Sequence, residues 1–244
     1  MIPKIIHYCW LSNDPVPTNL QEYMKSWKKY LPDYEFWLWD LKRFDINSSI
    51  WVKEAFEVKK YAFAADYIRC YALYNYGGIY LDMDVEVLKS FNDLLHLPYF
   101  LGKEQKTLVE AAVMGAEKQS SFFKKMLEYY KERHFILEKG QYDTRTLPGI
   151  FENILKANFQ IVNIDSIEQF VHSYEKVNIL PPDWFSPKSY HSGKVHLTKN
   201  SYTIHHFSDT WIPRCELIEL RIWQLLGLKP HFIIKRIKEK IAKF

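Results

Sequence analysis

Residues Ala62 to Val87 read AFAADYIRCYALYNYGGIYLDMDVEV, and their period changes part-way through. Ala62, Ala65, Ile68, Ala72, Leu73 and Tyr76 recur at helical spacing. Gly77 and Gly78 follow, as glycines do past a helix C-terminus. Beyond them Ile79, Leu81, Met83, Val85 and Val87 alternate with Tyr80, Asp82, Asp84 and Glu86. That alternation predicts one strand with an apolar face and a polar face. A helix feeding a central strand through a tight break predicts an α/β fold. Acids that end a central strand lie where open α/β sheets bind ligands.

On such a strand Asp82 and Asp84 project from one side, roughly 6–7 Å apart by the rise per residue. A divalent cation with oxygen ligands can sit at such a pair, and a phosphate-bearing substrate can complete its shell. In the helix, Asp66 and Arg69 are three residues apart and share a face. The same letters also describe a half-exposed strand and a surface ion pair of little energetic weight. The residues alone leave both readings open.

The chain has 244 residues, of which 48% are hydrophobic, enough for a full core. Aromatics make up 17%, material for stacking on sugars and bases but also for ordinary cores. The net charge of +4 is mild, and no RNA- or DNA-binding signature appears, so no nucleic-acid partner is expected. Cys9, Cys70 and Cys215 form no C-x-x-C pair, and so sparse a set suits a reducing compartment. No signal-peptide pattern and no apolar run of about 18 residues occurs. The expectation is a cytoplasmic protein, or one peripheral to the inner face of the cell membrane.

In chain order, Pro3–Trp10 reads as a first strand. Trp10 ends it, either covering a base or plugging the core. Helices are predicted over Thr18–Tyr30, Trp51–Tyr61, Ser120–Arg133 and Ile150–Ala157, with the second running into the helix from Ala62. Further strands are predicted over Tyr34–Trp39, Tyr99–Gly102, Leu108–Met114 and Val177–Leu180. In SYTIHHFSDTW, Ser201–Trp211, Tyr202 and Ile204 alternate like a strand. Adjacent His205 and His206 then point to opposite faces, so at most one readily joins a given site. Glu219–Phe244 reads as mostly helical, broken near Gly227 and Pro230. Its last turns repeat Ile233, Ile237 and Ile241 among Lys235, Arg236, Lys238, Lys240 and Lys243. Such a basic amphipathic helix either lies on anionic lipid or docks on the core.

Four pieces together carry a resemblance: PKIIHYCW, SWKKYLPDYEFWLWD, KKYAFAADYIRCYALYNYGGIYLDMDVEVL and YTIHHFSDTW. They resemble glycosyltransferase family 32, the group with the D-x-D sugar-binding region also found in large clostridial glucosylating toxins. The resemblance runs from the N-terminus to about Trp211 and is strongest over Lys60 to Leu88. It implies a GT-A fold, a mixed central sheet flanked by helices, as one catalytic domain over residues 1–225. The donor half would reach about residue 100 and the acceptor half would follow, with 226–244 as the basic tail. It also implies a nucleotide-diphosphate sugar as donor, UDP-linked rather than GDP-linked, Mn²⁺ or Mg²⁺ as cofactor, and transfer with retention at the anomeric carbon.

Residue by residue, the resemblance gives Asp82 and Asp84 the metal and diphosphate. It gives Asp66 and Arg69 the donor sugar and phosphate, and Trp10 the nucleobase. His206 is the expected third metal ligand, counting back from Trp211, with His205 as the substitute. Trp211 matches the loop tryptophan near the scissile bond, assisted by Asp209 or Ser208. The cation and Arg69 would stabilise the departing diphosphate. Retention by front-face attack needs no protein base; double displacement would need a carboxylate such as Glu104 or Glu110.

The sequence departs from the family where Asn-Ala is usual, having Glu110-Ala111-Ala112-Val113-Met114-Gly115 instead, and at the turn Thr146-Leu147-Pro148-Gly149. Both touch the acceptor half. Without the N-terminal anchor of eukaryotic members, the chain is expected to resemble bacterial enzymes of capsule, O-antigen or exopolysaccharide assembly. It would transfer a hexose or N-acetylhexosamine to a glycan acceptor carried on a lipid, at an anionic membrane surface. The alternatives are a sugar-nucleotide nucleotidyltransferase and a non-catalytic glycan-binding protein.

Overall fold

The computed structural model describes residues 1–104, 109–190, 192–208 and 214–226. Strand β1 (Ile5–Cys9) opens the chain, and helix α1 (Thr18–Tyr30) follows a polar, proline-rich loop. Strand β2 (Glu35–Trp39) returns parallel to β1, from Ile5↔Glu35 to Cys9↔Trp39. Helices α2 (Ile50–Glu57) and α3 (Tyr61–Tyr76) then cross to the other side of β1. They form two helices, since Lys59 between them takes a left-handed φ of 58°. Strand β3 (Gly78–Leu81) pairs with β1 in parallel, Ile6↔Ile79 and His7↔Tyr80.

The remaining elements are β4 (Val85–Val87), β5 (Tyr99–Leu101), β6 (Val113–Ala116), α4 (Ser121–Tyr130), α5 (Leu147–Asn158), β7 (Gln160–Asn163), β8 (Lys176–Ile179), the single turn α6 (Pro182–Phe185), β9 (Thr203–His205) and α7 (Arg214–Leu225). The central sheet runs β2-β1-β3-β6-β5, with β6 antiparallel to both neighbours. Strands β4 and β9 form an antiparallel ladder, and β7 and β8 a parallel one. The expected α/β architecture, a mixed central sheet flanked by helices, is the one observed. The strand expected over Leu108–Met114 is β6 and begins only at Val113; Leu108 and the segment 227–244, with the basic tail, lie outside the described residues.

Period-two alternation divides the sheet between two cores. Tyr80, Met114 and Ala116 face a cluster with Trp51, Ile68, Phe123 and Phe151 beneath α2, α3, α4 and α5. Ile6, Ile79, Leu81 and Val113 face the other, with Trp27, Val85, Phe100 and Tyr202. Strand order reverses at β1, because β2 lies on one side and β3 on the other. Open α/β sheets bind ligands at the carboxyl ends of strands at such a point. Trp10 follows β1 there, and Asp82 follows β3.

The predicted strand Ile79–Val87 is two strands. Leu81 ends β3, and the Val85 N–H donates to the Asp82 carbonyl (3.0 Å), closing a turn that holds both aspartates. Beyond the turn β4 joins a different sheet and is held under α1. The Trp27 indole donates to the Val85 carbonyl (2.7 Å), and the Val87 N–H donates to the Ser26 hydroxyl (2.8 Å). The expected polar face is absent from β3, where Tyr80 is buried with its neighbours.

The helix-to-strand break requires its glycines. Gly77 and Gly78 have φ of +68° and +105°, and a Cβ on Gly78 would fall 2.7 Å from the Ile5 carbonyl oxygen. Buried His7 fixes this corner. Its Nδ1 accepts from the Trp39 indole (3.0 Å), so its Nε2–H donates to the Gly77 carbonyl (2.7 Å). Burial of this neutral ring lowers its pKa to about 4.

The unfolded chain therefore takes up this proton first as pH falls. Stability from His7 is full above about pH 6.5 and is lost progressively toward pH 4, a change of about 3 kcal/mol. Denaturant midpoints measured across that window should fall in the wild type and fall less in His7→Gln. Equal slopes in the two proteins would remove His7 as the source.

Candidate active site

The site begins with α3. Ala64, Ala65 and Ala72 are buried small residues that bring this helix close to the sheet. Asp66 and Arg69 lie on its inner side and are themselves buried. An Arg69 terminal nitrogen lies 3.1 Å from an Asp66 oxygen. Its other terminal nitrogen donates to Asp82 Oδ2 (3.1 Å) and to the Ala111 carbonyl (2.8 Å). The guanidinium also lies over the Tyr80 ring, 4.6 Å from its centre. Arg69 thus ties together α3, the end of β3 and the segment leading into β6. It lies under the site as a counter-ion, with its side chain 7% exposed.

Asp82 is oriented from three directions. Its N–H donates to the Ala112 carbonyl (2.9 Å), while Oδ1 accepts from the Tyr80 hydroxyl (3.0 Å) and Oδ2 from Arg69. Its side chain is 29% exposed, the most open acid of the cluster. Asp84 is held by the returning chain. Its Oδ2 accepts from the Ser208 N–H (2.7 Å), and its carbonyl accepts from the His206 N–H (3.0 Å).

That return is β9, which pairs Val85↔His205 and so sets His205 beside the aspartate turn. His205 Nε2 lies 3.5 Å from Asp84 Oδ1, and its Nδ1 lies 3.3 Å from the Glu110 carboxylate. Ligating atoms of Asp82, Asp84 and His205 lie within 4.8 Å of one another. Two carboxylates and an imidazole suit Mn²⁺ or Mg²⁺ through their oxygens, with the nitrogen favouring Mn²⁺.

The structure corrects the choice of histidine. His206 points to the opposite face, where its Nε2 meets Glu86 (2.9 Å) and its ring stacks on Tyr23 at 4.0 Å. Alternation along β9 forbids both rings from sharing one side. The candidate third ligand is therefore His205. Trp10 stands at the same sheet edge, half-buried, with its indole donating to the Asp14 carbonyl (2.8 Å). Asp209 and Trp211 lie outside the described residues.

Burial and charge pull the acids apart. Desolvation, opposed by Arg69 and reinforced by Asp82, raises Asp66 to about 7. Asp82 is also raised by burial and by Asp84, against Arg69. Burial opposes ionisation of Asp84, but His205 and the Ser208 N–H outweigh it and lower its pKa to about 2. His205 is held well above its ordinary value, since Glu110 and Asp84 outweigh burial.

Tyr80 and Glu110 are site residues that the sequence reading left without a role here. Tyr80 was placed on the polar face of the strand with no role, and Glu110 was named only as a conceivable nucleophile. A lone acid opening the apolar run EAAVMGA was the one signal for Glu110, because a buried carboxylate needs partners.

Residues 17–101 match the family described as the glycosyltransferase sugar-binding region containing the DXD motif. That segment of the chain, which holds Asp66, Arg69, Asp82 and Asp84, is similar to the DXD-region glycosyltransferases. Inositol phosphoceramide mannosyltransferase 3 of Schizosaccharomyces pombe is 34% identical over 125 residues, 50% of this chain and 35% of that protein. Mannosyl phosphorylinositol ceramide synthase CSH1 of Saccharomyces cerevisiae is 34% identical over 146 residues, 56% of this chain and 38% of that protein. This chain thus matches little more than a third of the length of either relative. The solved structure of PaToxG glycosyltransferase overlaps at a TM-score of 0.48, with 16% identity over 64% of this chain and 68% of that one. The two curated relatives are named for ceramide mannosylation in fungi. The expectation of bacterial capsule, O-antigen or exopolysaccharide assembly finds no support in them.

Removing Arg69 would leave Asp66 and Asp82 as buried like charges without a counter-ion. Arg69→Ala should cost about 3–5 kcal/mol of folding free energy. Arg69→Ala combined with Asp66→Asn should recover part of that loss in denaturant melts. No recovery would show that the loss comes from packing alone.

Proposed function

We propose that this chain is a metal-dependent glycosyltransferase that moves a hexose from a nucleotide-diphosphate sugar to a hydroxyl of a lipid-linked acceptor. The supporting observation is the convergence of Asp82, Asp84 and His205 at the strand-order reversal, two of them inside the family-matched region. Mannose is the hexose favoured by the names of the relatives, and those names also favour a ceramide-linked acceptor. The base, UDP or GDP, is the finer question for experiment.

When bound, a divalent cation supplies positive charge that stabilises the diphosphate leaving group. The chain's own residues orient and exclude. Asp82 and Asp84 are fixed by Tyr80, Arg69 and the Ser208 N–H before any substrate arrives, so little reorganisation accompanies binding. Asp66, raised to about 7, sits beside this cluster and can donate or accept a hydrogen bond at a sugar hydroxyl. Retention by front-face attack agrees with the carboxylates around the site. Asp66, Asp82, Asp84 and Glu110 each already bind a protein cation or N–H, which favours the departing phosphate oxygen as the acceptor's base.

Titration of UDP and GDP with and without Mn²⁺ tests the reading. Binding should depend on the metal and be lost in Asp84→Ala, and a panel of UDP- and GDP-sugars should show hydrolysis of one donor class. Metal-independent binding that survives Asp84→Ala would sink the proposal and favour a glycan-binding protein.

A further inference from the structure

Glu110 is 1% exposed and lies on the segment entering β6, beyond the family-matched residues. One of its oxygens accepts from the Ala112 N–H (2.8 Å), a short loop that fixes the carboxylate against its own backbone. The carboxylate meets His205 Nδ1 at 3.3 Å. The opposite ring nitrogen, Nε2, faces Asp84 at 3.5 Å. The backbone of the same segment also reaches the site, with the Ala111 carbonyl on Arg69 and the Ala112 carbonyl on the Asp82 N–H. The Glu110 carboxylate, the His205 ring and the Asp84 carboxylate therefore form a line that ends on the two-aspartate turn.

We propose that Glu110 is a positioning residue: it holds Nδ1–H of His205, so that Nε2 is presented with Asp82 and Asp84 as the third ligand for a divalent cation. A ring anchored at one nitrogen has its tautomer and its plane fixed, and ligating histidines are commonly oriented by such a carboxylate. Among the described residues Glu110 is the hydrogen-bond partner of Nδ1, while Nε2 faces Asp84 at 3.5 Å and the ring packs on Phe207 at 4.1 Å, so Glu110 is the contact that fixes the ring from the side away from the aspartates. A carboxylate so placed takes no part in nucleophilic attack, which separates Glu110 from the double-displacement role considered from sequence. The inference rests on the metal-dependent reading above.

The test is a double-mutant cycle in Mn²⁺ affinity, read by EPR on the full chain, with Mn²⁺ alone and with UDP or GDP present. Glu110→Ala should weaken Mn²⁺ binding by about 10–100-fold. His205→Ala should weaken it at least as much. The double variant should match His205→Ala alone, because Glu110 acts through the ring. Glu110→Gln, which retains an acceptor for Nδ1–H, should lose less than Glu110→Ala. It also serves as the test pair with His205→Ala if the alanine variant does not fold. Unchanged affinity in Glu110→Ala, or additive losses in the double variant, would overturn the positioning role while leaving the site reading intact if Asp84→Ala still abolishes binding. Absence of Mn²⁺ binding by the wild type under all three conditions would overturn both.

Discussion

Arg69 is the constraint around which the site is built. It is a buried cation reached by Asp66 from its own helix, by Asp82 from the end of β3, and by the Ala111 carbonyl from the approach to β6. An ion network of this kind contributes modest net stability, since desolvation offsets most of the attraction. Its effect is geometric. With those partners satisfied, α3 cannot shift along the sheet, and Asp82 cannot rotate, without leaving a buried charge unpaired. The charges also decide what the site can hold. The carboxyl groups of Asp66, Asp82, Asp84 and Glu110 outnumber the basic partners Arg69 and His205 in this cluster. A diphosphate is repelled by such a cluster and a divalent cation is attracted. That balance supports the metal-dependent donor binding proposed above.

The second organising feature is the abrupt end of β3. Had the strand continued to Val87, Asp82 and Asp84 would have stood a full two-residue rise apart on an extended backbone. The turn closed by the Val85 N–H draws them together and redirects the chain into a separate two-stranded ladder. That ladder is what brings β9 back. Because Val85 pairs with His205, the residue opposite the start of β4 is the one that reaches the aspartates, and its neighbour His206 turns to Glu86 and Tyr23. Trp27 and Ser26 of α1 hold β4 in this position from the other core. Residues far apart in the chain thus meet through backbone pairing rather than through side-chain attraction.

Local pattern made part of this legible. The helix Tyr61–Tyr76, the Gly77-Gly78 break, β1, β2 and the pairing of Asp66 with Arg69 all follow from spacing and from residues with fixed backbone preferences. The turn at Asp82–Asp84 was hidden because LDMDVEV alternates perfectly. A period-two pattern is equally satisfied by two short strands that bury different faces. Strand β7 was missed for a related reason: QIVN is short, half-exposed at the sheet edge, and gains its identity from parallel pairing with β8. The choice between His205 and His206 could not be made from sequence, since alternation says only that they diverge. Which face is which depends on the β4–β9 register, a contact between residues 120 apart.

The same distinction separates the family-matched segment from the rest of the site. The matched region, residues 17–101, contains Asp66, Arg69, Asp82 and Asp84, the parts that follow from local pattern. Glu110 and His205, which complete the cluster, lie beyond it and arrive only through β6 and β9. A two-carboxylate turn alone offers oxygens to any hard cation. Adding an imidazole held by a buried carboxylate shifts the preference toward a metal that accepts nitrogen, Mn²⁺ over Mg²⁺. On the proposed reading, the part of the site built by long-range contacts tunes which metal is preferred, and the locally encoded part offers the carboxylates that would hold it. Glu110 and Ala112 lie on the segment that leads into β6, the strand paired with β3, so the position of that segment bears on Asp82 and His205 together.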